Sequence, residues 1–432
     1  MRYRLDRKFY CRNGWKNKKK CGILVSLFKL QVRNMTEIRK YDDEVNRRRN
    51  EQEAREKAYM RHKRWKWLRF VILGVILVAV CAFVFFYYSG KTYSGYEVTH
   101  TVARTKVDGS VDVKLGNSVL TYSQDGAHCV DMKGTMTWNQ SFEIQDLKLA
   151  TCQNMSAICG YNGHEIYVQS TDKQMGEIQT NLPIKNITVS GNGFVTAVLE
   201  DTNVIWMNTY NPEGQNVYEG QFHMSQSGYP CAISLSPNGE LLAVSFIFVE
   251  EGNVVSNVAF YNYGPVGDNQ SDQLVSTYTY RDMLIPEIHF MTDSAAFAVG
   301  DNRLMFYSGA QVPTTKNEAI LDGEVKAVYY DQNYVGIIFT SDRSESKYVL
   351  KIYNNKGDNI LNHYFDMDYL GVFFEEKNFV IYNASECVVY SMAGMCKYQG
   401  KFQKAVNLML PTDMPYHYRL VTEDSIDLIQ LN

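Results

Sequence analysis

The chain has 432 residues, 45% of them hydrophobic, and a formal net charge of −3. That near-neutral total gives no sign of a basic nucleic-acid binder, yet it hides a division. Residues 1–69 hold 23 Lys and Arg against 8 Asp and Glu, whereas residues 70–432 hold 21 against 39.

Residues 1–34 contain Lys18-Lys19-Lys20 and an apolar run, Ile23 to Leu30, too short to cross a bilayer. Met35 opens a more ordinary protein start, so residues 1–34 read as translated upstream sequence, with Met1 and Met35 both candidate starts. Thr36 to Trp67 is rich in Glu, Arg, Lys and Ala and lacks Pro and Gly, which favours helix. Glu51 with Arg55 and Glu53 with Lys57 are expected to pair at i,i+4. With hardly any apolar stripe, this reads as a solvated arm beside a membrane. No aromatic-basic module or zinc spacing points to nucleic acid.

Phe70 to Tyr88, FVILGVILVAVCAFVFFYY, is uncharged throughout and about 28 Å long as a helix, which matches the hydrocarbon thickness of a bilayer. Trp65 and Trp67 precede it and Tyr87 and Tyr88 close it, as interfacial rings do. Its bulky exit does not suit a signal peptidase, so it is expected to stay as a single transmembrane helix. Arg61, Lys63, Arg64, Lys66 and Arg69 put the N-terminal side in the cytoplasm and everything after a short linker, 89–95, outside.

Beyond Ser89, short apolar runs punctuated by Gly, Asn and Asp turns argue for an all-β domain over 96–432. A strand, polar turn, strand pattern recurs at 119–132, 156–169, 194–208, 241–262 (with an apparent insertion), 295–308, 334–354, 378–391 and 419–431. Spacings of roughly forty residues are those of four-stranded propeller blades. One twisted sheet cannot bury both faces alone, whereas a ring of them can. The expectation is a β-propeller of eight four-stranded blades, with seven as the alternative. Tyr96 to Thr105 should supply the outer strand of the last blade and so join the two chain ends. A β-solenoid would show shorter repeats, and two sandwiches would show a linker midway.

Ser236-Pro237-Asn238-Gly239-Glu240-Leu241-Leu242-Ala243-Val244 resembles the turn of WD40-like and YVTN-type blades, and Gly134-Thr135-Met136-Thr137-Trp138 is similar to the ending of quinoprotein-type blades. Basic tail, single span and exported propeller together resemble a membrane-anchored propeller family of Gram-positive bacteria. No activity is assigned to that family, so the resemblance implies a fold and no chemistry. The vicinal cysteines of quinoproteins are missing, and no cofactor is expected.

His100, His128, His164, His223, His289, His363 and His417 form no HxH or HxxxH pair, and there is no nucleophile elbow or phosphate loop. Six cysteines lie beyond the span: Cys129, Cys152, Cys159, Cys231, Cys387 and Cys396. They read as free, mostly buried thiols; only if Met155-Ser156 is a two-residue turn would Cys152 and Cys159 face each other across a hairpin. The turns between second and third strands are rich in acids, and Asp125, Asp201, Asp301, Asp342 and Asp424 would share one face of a closed ring. They are the candidate binding residues for a basic partner, set against the ordinary liking of Asp for turns. The sequence favours a non-enzymatic, membrane-tethered scaffold for an envelope protein or polymer. Its rivals are an envelope-polymer enzyme built from several blades and a transmembrane signal transmitter.

Overall fold

The computed structural model describes residues 18–105, 107–131 and 133–432, apart from some side chains of the N-terminal helix, including those of 18–39 and 82–89. The chain divides into two compact units, the second beginning at Thr92.

The first unit is one helix, α1 (Lys18–Ser89), so the expected arm and the expected span are continuous. Glu53 lies 3.9 Å from Lys57 as expected, but Glu51 pairs backwards with Arg47 at 3.3 Å. Arg49 shares Glu53 at 3.9 Å. Phe70, Leu73, Val75, Ile76 and Val78 point outward all round the helix and are exposed. Among the described residues, no helix is long and apolar enough to cross a membrane. The second half of the expected span, from Ala82, lies outside the described side chains.

The second unit contains eight four-stranded antiparallel sheets. Blade 1 comprises Val111–Leu115, Ser118–Ser123, Gly126–Val130 and Met136–Ser141. Blades 2 to 7 occupy 147–179, 184–223, 229–281, 287–320, 325–365 and 371–401 in the same order. Blade 8 takes its first three strands from 408–431 and its outer strand, β1 (Tyr96–Ala103), from the other end of the domain. β1 pairs with Ser425–Leu431 from Tyr96↔Leu431 to Ala103↔Ser425, with one irregularity at Val98/His100. The ring therefore closes as expected, with eight blades.

Burial explains why the repeats were visible. Second strands such as Met155–Gly160, Ala295–Val299 and Asn378–Tyr382 are buried on both faces, hence continuously apolar. Outer strands such as Asn216–His223 alternate between exposed and half-buried positions. Between blades 4 and 5, Phe260 meets Phe290 and Tyr307 edge-on at 6.2 and 5.0 Å, filling one inter-blade core. The Ser236–Leu241 turn has a direct physical basis: Ser236 Oγ donates to Asn238 Oδ1 at 2.7 Å and accepts the Leu241 N–H at 2.9 Å. Gly239 takes the positive φ of 76° that the turn requires.

Three local expectations change. The fourth copy has no insertion: Leu241–Glu250 and Asn253–Asn262 are simply ten-residue strands. Cys152 is paired with Met155 and Cys159 with Lys148, because the turn is Gln153-Asn154; the two thiols do not face each other. The linker is shorter than 89–95, since Tyr93 N–H donates to Lys397 O at 2.7 Å and Ser94 N–H to Asn432 O at 2.9 Å.

Candidate functional site

Antiparallel blades return every second-to-third-strand turn to one end of the ring. Asp125, Asp201, Asp301, Asp342 and Asp424 all lie in or beside such turns, in blades 1, 3, 5, 6 and 8. They are differently engaged. Asp424 accepts from Thr422 at 2.8 Å and from Lys404 Nζ at 3.2 Å, contacts that hold its carboxyl below the usual range. Asp301 accepts the Leu284 N–H at 3.4 Å, and Asp201 the Thr202 hydroxyl at 3.3 Å. The other end also carries turn acids: Asp131 accepts two backbone N–H groups at 2.8 Å, and Asp331 two at 2.8 and 2.7 Å. Among the described residues, no three Asp, Glu, His or Cys side chains gather closely enough to hold a metal ion.

The histidines remain separate. His363 packs 4.1 Å from Tyr390 and 5.3 Å from Phe379, and burial pushes its pKa down to about 4. His289 meets Tyr330 of the next blade, with Nδ1 3.1 Å from the phenol oxygen. The six cysteines beyond the helix are free, and burial pushes Cys152 up to about 11 and Cys159 and Cys387 to about 12. At neutral pH Cys152, Cys159 and Cys387 therefore stay protonated.

Two features were not anticipated. The first is a groove of about 760 Å³ between the rims of blades 3 and 4. One wall is the outer strand Asn216–His223, with Tyr218, Gly220 and Phe222 turned inward; the other includes Tyr261, Tyr263 and Asp272-Gln273-Leu274. Tyr218 stacks on Tyr263 at 4.2 Å and 9° and donates its hydroxyl to the Tyr263 carbonyl, which fixes one end. Phe222 packs 5.4 Å from Phe246 at the other. The Phe222 ring lies over Gly220, where a Cβ would start 2.8 Å from it. The blade 4 connection bounding this wall includes Asp272 and Gln273, both at φ 57°. Glu219 and Asp272 make the lining acidic. Long outer strands gave a faint signal; the gap itself depends on how two blades meet.

The second is a polar seam between blades 8 and 1. Asp112, Thr121, His128 and Asn139 are successive register partners across all four strands of blade 1. Arg104, just after β1, reaches in: its Nη2 donates to Asp112 Oδ1 at 2.8 Å, as does Thr121 Oγ1 at 2.7 Å. The Arg104 and Asp112 side chains are 10% and 1% exposed. Arg104 Nη1, Asp112 Oδ2 and Ser110 Oγ are buried without partners. Burial and the Arg104 charge push the His128 pKa down, against Asp112, so its ring is neutral at pH 7. Cavities of about 150 and 140 Å³ both have Thr121 and His128 in their walls. The first also has Ser110, Asp125 and Asn139, the second Arg104.

The chain is distantly similar to several solved structures. BamB from Moraxella catarrhalis is 10% identical over 78% of this chain and 100% of its own, with a TM-score of 0.46. A eukaryotic initiation factor is 13% identical over 78% and 87%, with a TM-score of 0.49, and Hsv2 from Kluyveromyces lactis 8% identical over 68% and 98%, with a TM-score of 0.45. Likeness at this level carries nothing about activity. No curated protein matches the chain. The model of a family of unknown function, DUF5711, matches residues 89–431, which takes in all eight blades, and the chain belongs to that family.

Proposed function

We propose that the chain is a membrane-tethered binding module whose propeller lies outside the cell and engages an envelope protein or polymer without turning it over. The groove between blades 3 and 4 carries this reading. It is large enough for several side chains or sugar units, is walled by rings and polar groups, and lies beside an unpaired outer strand edge. The tether rests on Phe70–Tyr88. A helix apolar on every side and exposed on every side in its described part needs a nonaqueous surrounding, and the basic run before it sets the N-terminus in the cytoplasm. The five turn acids extend the binding surface toward basic groups, with a reach of about 8 Å at physiological salt.

The test is in-cell crosslinking of the tagged full chain followed by mass spectrometry, comparing wild type with Gly220→Phe and with a triple variant, Asp125→Asn, Asp201→Asn, Asp342→Asn. Gly220→Phe puts a second ring where Phe222 lies and forces one of the two into the groove, which should lower recovery of the main partner about tenfold at unchanged expression. The Asn variant should weaken it less, and only at low salt. Undiminished recovery with Gly220→Phe would end the groove reading.

A further inference from the structure

The groove between blades 3 and 4 follows the edge of a strand. Side chains of one strand alternate between its two faces, so a groove lying on a face is lined by every second residue. Here Tyr218, Glu219, Gly220, Gln221, Phe222 and His223 line it in unbroken succession, and the strand they belong to has a paired neighbour on one side only. The groove therefore meets the outer edge of Asn216–His223, with its row of backbone N–H and C=O groups. Tyr218 to His223 pair without irregularity with Thr209 to Val204, which keeps the free edge regular as well. The strand also contains no Lys, Arg or Pro, residues that commonly stop an exposed edge from pairing. The facing wall is an addition to the blade pattern. Between the third and fourth strands blade 4 runs through residues 263–273, where blade 3 uses 211–215 and blade 5 uses 309–313. The Tyr218 hydroxyl, donating to the Tyr263 carbonyl, ties that long connection to the strand.

We propose that the groove takes an extended segment of a partner protein, bearing lysine or arginine, which adds to Asn216–His223 as a fifth strand and sets its basic side chains against Glu219 and Asp272. The proposal rests on the groove reading above and names its occupant. The strand edge selects a polypeptide, because only another backbone repeats donors and acceptors at the spacing of that edge, over about 20 Å for six residues. A sugar chain could use the rings and acids but would leave the ladder to water. Charge selects the side chains. Glu219 stands on the strand and Asp272 on the connection, and the described lining holds no Lys or Arg. Burial, and after it the charge of Asp268 on the same connection, push the Tyr218 phenol up, so the acidic field reaches the rings. Tyr218 and Tyr263 then offer aromatic surface to a cationic side chain that the acids have drawn in.

Fluorescence anisotropy on the full-length chain in detergent decides the matter, with a capped peptide of alternating Lys and Thr as the probe. Alternation puts every Lys on one face of the added strand, whatever its direction or register. The peptide should bind saturably, and a Glu-Thr counterpart and a glucosamine hexamer should each bind at least about tenfold more weakly. Two further peptides are N-methylated, one at every Lys and one at every Thr. Alternate N–H groups point to opposite edges of a strand, so one of the two should lose about tenfold in affinity and the other little. The double variant Glu219→Gln, Asp272→Asn changes exposed groups only, and Asn accepts the positive φ at 272. It should weaken binding about fivefold at low salt with the melting temperature unchanged. Absence of saturable binding by the Lys-Thr peptide at millimolar concentration overturns the proposal. So does equal binding of the two methylated peptides, of the Glu-Thr peptide and the probe, or of wild type and the double variant. If the glucosamine hexamer binds instead and Gly220→Phe removes it, the groove reading stands and the peptide proposal alone falls. Undiminished partner recovery in cells with Gly220→Phe ends both.

Discussion

At the scale of single residues, the clearest consequence of burial concerns His363. Held between Tyr390 and Phe379 with Nε2 buried and unpaired, it stays neutral down to about pH 4, whereas an unfolded histidine protonates near pH 6.5. Between those values the unfolded chain binds a proton that the folded chain refuses. The contribution is therefore fully present above pH 6.5 and is lost as pH falls toward 4. With some solvent reaching the ring, the effect is on the order of 2 kcal/mol. His363→Leu keeps an apolar side chain of similar size and removes the titration. Its melting temperature should fall less between pH 7 and pH 4.5 than that of wild type; equal falls would mean that His363 titrates freely.

At the scale of elements, β1 decides whether the ring exists. It pairs along nearly its whole length with the last strand of the chain, and residues 93–95 dock against Lys397 and Asn432 beside it. Without it, Ser425–Leu431 becomes an open edge and the blade 8 face loses its cover. Replacing residues 96–103 of the full chain by a Gly/Ser stretch of equal length should lower the melting temperature by at least about 10 °C or cause aggregation. An unchanged melting curve would show that seven blades and a partial eighth are self-sufficient. Arg104, which follows the same element directly, carries its contacts on to Asp112 of blade 1.

At the scale of the whole molecule, the prediction is one of topology. With the proposed orientation, in which the basic flank before Phe70 stays inside, limited protease added to intact cells should cut within 92–432 and leave an epitope at 40–60 protected. Protection of the propeller with loss of that epitope would reverse the orientation; protection of both would remove the tether.

The sequence by itself determined the repeat, the number of strands per blade and the closure by Tyr96 to Thr105. Second strands covered on both faces must be apolar throughout, and tight turns between strands demand Gly, Asn and Asp, so both leave a local trace in the order of residues. It also placed five acids at one end of the ring, because strand alternation fixes which turns share an end. It read Cys152 and Cys159 as free thiols, as they are, while the facing pair it allowed fails because the turn lies two residues earlier, and it read the ten-residue strands of blade 4 as an insertion. What only the tertiary structure decided lies between blades. The groove exists because the outer strand of blade 3 and the Asp272-Gln273-Leu274 connection of blade 4 line one gap, and the polar seam because Arg104 of the closing link meets Asp112 of blade 1. Neither contact is between residues of one blade, and no periodicity within a chain records which side chain a neighbouring sheet will bring against it.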